Sequence, residues 1–168
     1  MSAGSRLEEL EALMRPGVLS QNGFLGDNEN LEEVLAEDRQ VLKELGVTHA
    51  ALATALESLI EVAEKSPDHS SRGYPFHTTV EVFTGFQICP WATDIHHGQC
   101  TIGGGSRFAN LHWCIKNTRT GQEMCGPGLI VHLIRDHQFF EGMESPQRVD
   151  PRDLAKLLDL VTLSDESE

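Results

Sequence analysis

The hydrophobic period of this chain changes once, across Ser66–Pro75, from a helical repeat to a strand-like alternation. A helix brings the same face round every 3.6 residues and a strand every two, so no single element satisfies both patterns. The break is rich in Ser, Pro, Asp and Gly, the composition of a linker. The sequence therefore predicts an α+β protein: an N-terminal helical hairpin, then a small antiparallel sheet with two C-terminal helices. A chain of 168 residues is long enough to bury a core of its own. It reads as one domain, with a helical half at 1–66, a linker at 67–75, a sheet-plus-helix half at 76–163 and an acidic tail at 164–168.

Before the break, Leu7, Leu10 and Met14 share one face of a short amphipathic stretch that Pro16-Gly17 ends. Phe24 and Leu25 in the following loop are expected on the core. Asn30 to Leu45 is a predicted helix, with Asn30 and Glu33 in capping-box spacing and Gly46 as its stop. Thr48 caps a second helix through Glu64. The link between the two is so short that they must run antiparallel or cross steeply.

After the break, Val80, Val82, Phe86 and Ile88 alternate with Glu81, Phe83, Gln87 and Cys89, a strand pattern. Arg107 to Lys116 alternates again, with Ala109, Leu111, Trp113 and Ile115 on one face. Residues 117–121 are a hairpin loop in which Gly121 suits a left-handed position, and Gln122 to Cys125 returns. Gly126-Pro127-Gly128 opens a helix expected to reach Glu141. Asp150-Pro151 starts the last one, with Asp as cap and Pro in the first turn. Val80, Val82, Leu111, Trp113, Ile115, Leu133 and Leu158 are the predicted core.

The net charge is −13 and unevenly spread: residues 1–66 carry 13 acids and 5 bases, whereas residues 67–121 carry 3 acids and 4 bases. Such a chain repels phosphate backbones, which argues against nucleic-acid partners. No apolar run reaches the roughly 18 residues of a membrane span, so no membrane partner is expected. The N-terminus lacks an export pattern. These features predict a cytoplasmic, soluble, acidic protein whose four cysteines are thiols or ligands in place of disulfides.

All four cysteines and five of the eight histidines lie between Cys89 and His137. Strand alternation puts Cys89, His112, Cys114 and Cys125 opposite the apolar sets, and a hairpin about Arg119-Thr120 sets Cys114 across from Cys125. His132 and His137 follow on the next helix. Zinc takes Cys and His ligands at tetrahedral spacing, so the candidate metal set is Cys114 and Cys125 first, then His132 and His137, with Cys89 or His112 completing it. No C-x-x-C is present, and free cysteines are commonly buried as small hydrophobes. On a straight helix five residues turn by roughly 140° beyond a full turn, so His132 and His137 converge only if the helix loosens there.

Three functional readings follow. The first is a non-enzymatic protein holding one structural zinc. The second is a thiol enzyme using Cys100, with His96 or His97 as base, or using Cys89. Cys89-Pro90-Trp91-Ala92 lacks the second cysteine of a redox pair. The third is an acidic module that docks a protein partner through its helices, with structural Cys and His. Substrate, partner identity and oligomeric state are not written in these motifs.

Overall fold

The computed structural model describes residues 3–18, 23–84, 89–93 and 108–161. Three helices come first: α1 (Ala3–Met14), α2 (Leu31–Leu45) and α3 (His49–Lys65). A four-stranded antiparallel meander follows, β1 (Ser70–Ser71), β2 (Phe76–Val82), β3 (Leu111–Asn117) and β4 (Glu123–Pro127), in spatial order β1-β2-β3-β4. A 3₁₀ turn, Pro90–Thr93, sits between β2 and β3. Helices α4 (Ile130–His137) and α5 (Pro151–Leu157) close the order. The architecture is α+β, as the period change predicts.

The capped ends of α2, α3 and α5 form where the sequence places them. Asn30 Oδ1 accepts from Glu33 N, Thr48 Oγ1 from Ala51 N, and Asp150 Oδ1 from Asp153 N, each at 3.0 Å. Gly46 turns left-handed at φ 72° and its N–H closes onto the last carbonyls of α2. With only three residues between them, α2 and α3 cross at 86°. Among the described residues no single helix is long and apolar enough to cross a membrane.

The core lies between α3, α4 and the inner face of the sheet. Leu52, Leu56 and Ile60 meet Leu111, Trp113, Ile115, Leu133 and Ile134, all buried. Trp113 Nε1 donates to Pro127 O at 2.8 Å, so the buried indole keeps its polar handle satisfied. Gly126 lies under that ring, where an added Cβ would stand 2.8 Å from it.

Several expectations are corrected. The Ser66–Pro75 linker contains β1, whose Ser70 and Ser71 pair with Thr79 and Thr78. Helix α4 stops at His137 and does not reach Glu141, because Gln138 turns left-handed at φ 56° and folds Phe139 and Phe140 into the core. Val82, the last residue of β2, is 45% exposed and not part of the core. Asn117 is not a loop residue: it ends β3, fully buried, donates to Leu157 O at 2.9 Å and accepts from Arg119 N and Thr120 N. The four expected thiols are also corrected, since Cys114 and Cys125 form a disulfide. The pairing itself follows the predicted register, with Cys114 opposite Cys125. Phe86, Ile88, Cys100, His96, His97 and the acidic tail lie outside the described residues.

Polar ties join the helical half to the C-terminal segment. Asp38 on α2 receives both guanidinium nitrogens of Arg148, at 2.9 and 2.8 Å, with the two side chains 2% and 10% exposed. Removing one partner of such a pair leaves an uncompensated buried charge, at a cost of about 3–5 kcal/mol. Arg148→Leu should lower stability by that amount in urea melts, and restoring an apolar partner with Asp38→Leu in the same chain should recover much of it. Little loss in the single variant would show that the pair is a bystander.

Glu141 gives a second test. It is buried, Oε1 accepts from Ser145 Oγ at 2.7 Å, and Oε2 has no hydrogen-bond partner among the described residues. Burial pushes its carboxyl from 4.5 up to about 8, against the opposing Ser145 hydrogen bond. The folded chain then keeps a proton that the unfolded chain releases from about 4.5 upward. This contribution to stability is complete below about 4.5, falls as the pH rises and is gone above about 8. Glu141→Gln should remove a fall on the order of a few kcal/mol between pH 5 and pH 8.5. An unchanged pH slope in the variant would refute the assignment.

Candidate metal site

Pro90 fixes the backbone just after Cys89 and opens the 3₁₀ turn that presents Trp91. Cys89 and Trp91 are both buried, at 2% and 7% exposure. Helix α4 supplies the other side. Ile130, Val131, Leu133 and Ile134 are buried around its circumference, and His132 is carried in among them at 5% exposure. His137 is the last residue of α4, just before the left-handed Gln138.

Cys89, His132 and His137 converge: one ligand atom from each lies within 4.8 Å of the other two. The imidazoles meet edge to face, with centroids 5.0 Å apart. Trp91 stacks flat on His137, at 4.2 Å and 4° between planes, and Phe139 meets Trp91 edge-on at 5.5 Å. The group is thus walled by aromatic rings that exclude water and strengthen any charge interaction inside.

Both histidines are held in the neutral form that ligates metals. Desolvation lowers His137 to about 4, and the neighbouring His132 pushes the same way while Asp136 opposes. Desolvation also lowers His132, again against Asp136. Nδ1 of His132 stands 2.8 Å from Asp136 Oδ2, one helical turn on. A carboxylate beside Nδ1 favours the tautomer that leaves the Nε2 lone pair for a metal. Nε2 of His137 is buried with no hydrogen-bond partner among the described residues, an atom a metal would satisfy. A thiolate and two imidazoles are a donor set suited to zinc and its neighbours. This group could hold a metal ion.

Of the six metal candidates in the sequence, three are brought together: Cys89, His132 and His137. Cys114 and Cys125 share a face as expected, but their sulfurs are bonded to each other. His112, two residues before Cys114, stands on the same outer face of β3, opposite the buried Leu111 and Trp113. Cys89 does not join that face, because it precedes the 3₁₀ turn and turns into the core. Two participants are missed from sequence. Asp136 partners His132 and not its neighbour His137, which the i,i+4 spacing on a helix signals. Trp91 stacks through a tertiary contact that no local pattern encodes.

Comparison of the chain with protein-family models, with curated proteins and with solved structures finds no match in any of the three.

Proposed function

We propose that this protein binds one zinc ion through Cys89, His132 and His137, as a structural centre that pins the 3₁₀ turn to α4. The observation that carries this reading is the convergence of a buried sulfur and two neutral imidazoles within 4.8 Å, one of them with an orphaned buried nitrogen. A buried nitrogen without a partner costs free energy that a bound metal would recover. Zinc is ordinarily four-coordinate. The three residues leave one position for a water.

Metal analysis of the untagged protein should find about one zinc per chain, in line with a single site. Cys89→Ser and His132→Ala should each lose the metal and melt at lower temperature, because binding energy adds to folding energy. Saturation a thousandfold above Kd is worth about 4 kcal/mol. Cobalt replacing zinc should give thiolate charge-transfer absorption and change Trp91 fluorescence, since that ring stacks on His137. A native chain that takes up neither metal at micromolar concentration would end the proposal.

A second reading has one observation in its favour. Cys89, His132 and Asp136 follow the order of a nucleophile, its base and an orienting carboxylate, with Asp136 2.8 Å from His132. Here the Cys89 thiol gives its proton to His132 and its sulfur adds to a substrate carbonyl carbon, whose π electron pair moves onto the carbonyl oxygen. The 2% exposure of Cys89 weighs against it, because a nucleophile must reach its substrate. Metal-free protein in which iodoacetamide alkylates Cys89 rapidly under native conditions would favour this reading over zinc.

A further inference from the structure

The second sulfur centre of the described chain lies on the opposite side of the sheet, and its two halves differ. Cys125 is exposed on β4, whereas Cys114 is half-buried on β3. Their nearest same-face neighbours along each strand also differ. Cys114 lies between His112 and Lys116, and Cys125 between Glu123 and Pro127. Lys116 and Glu123 stand directly across the strands from one another, so their opposite charges offset and the two sulfurs are distinguished by exposure.

We propose that Cys125 is a thiolation site, where a low-molecular-weight thiol of the glutathione class enters by disulfide exchange. The incoming thiolate attacks Sγ of Cys125 and forms a mixed disulfide there. The Cys114–Cys125 bond breaks, and its electron pair leaves on Sγ of Cys114, which then takes a proton from solvent. One disulfide replaces another, with no net redox change. A second thiol attacking the mixed disulfide completes reduction: two thiols become the low-molecular-weight disulfide, and Cys125 is released as a thiol. Exposure directs attack to Cys125, the sulfur that an incoming thiol reaches first.

The fold does not depend on this bond. Leu111, Trp113 and Ile115 hold β3 from the other face. The hairpin end is held by Asn117, which binds Leu157 O on one side and the loop amides of Arg119 and Thr120 on the other. Exchange therefore proceeds in the native state, and it leaves Cys89 on the inner side untouched.

The test uses air-oxidised full-length protein with reduced glutathione under native conditions, quenched with N-ethylmaleimide and mapped by peptide mass spectrometry. The expected product carries glutathione on Cys125 and maleimide on Cys114, with an unchanged circular dichroism spectrum. Adduct on Cys114, an equal mixture, or no adduct until denaturant is added would overturn the proposal. So would an air-oxidised chain in which Cys114 and Cys125 are not bonded. In a Cys114→Ser/Cys125→Ser double variant, retained fold is expected and a collapsed fold would refute native-state exchange.

Discussion

The first half of α4 has no solvent face: Ile130 to Ile134 are buried without a break. The helix is set against α3 by this apolar surface, and Arg135 fastens it to Glu57 at 3.0 Å and to Thr54 at 3.4 Å. A histidine within such a run cannot meet water, so its ring must be neutral, hydrogen-bonded or ligated. The burial of α4 therefore comes before the Cys–His–His group and accounts for it. It desolvates His132 and His137, and it points one edge of the helix at the 3₁₀ turn that bears Cys89. The left-handed Gln138 then ends the helix and turns the chain so that Phe139 backs the Trp91–His137 stack.

Three carboxylates away from that group illustrate three ways of burying an acid. Asp38 is charged against Arg148 through a two-pronged contact. Glu29 accepts from the backbone N–H groups of Gly26, Met143 and Glu144, so peptide dipoles play the part of the cation. Glu141 has only a serine hydroxyl and keeps its proton. The first two connect α2, and the loop before it, to residues 143–148. The acidity of the chain is therefore not confined to solvated helix faces, since part of it fastens the C-terminal segment to the helical half.

The local features of the fold are legible in the sequence, because caps and alternation act over a few residues. Asn30, Thr48, Gly46 and Asp150 mark helix ends by hydrogen bonds spanning three or four positions. Cys114 and Cys125 find each other because a hairpin loop fixes the register between them. The non-local features are not legible. Nothing near Cys89 says that it meets residues more than forty positions on, and a 3₁₀ turn follows it directly. The angle between His132 and His137 on a straight helix argues against their meeting. They meet because His137 is the terminal helical residue, where the end of the helix and the reach of two imidazoles make up the difference. Val82 follows the apolar pattern of β2 but ends the strand, where periodicity carries no information about cover.

The Asp38–Arg148 pair spans 110 residues, and this has a bearing on how the chain is made. During synthesis from the N-terminus, α1, α2 and α3 emerge while the partner of Asp38 is still unassembled. An unpaired carboxylate cannot enter an apolar interior, so the nascent helical half must hold that face of α2 open to water. The sheet can pair as it appears, since each strand of the meander neighbours the one before it. Only when the segment carrying Arg148 arrives does α2 close. Vectorial synthesis thus leaves the N-terminal third of the chain waiting on the C-terminal third, and the exposed leucines of α2 are what a chaperone would find in the interval.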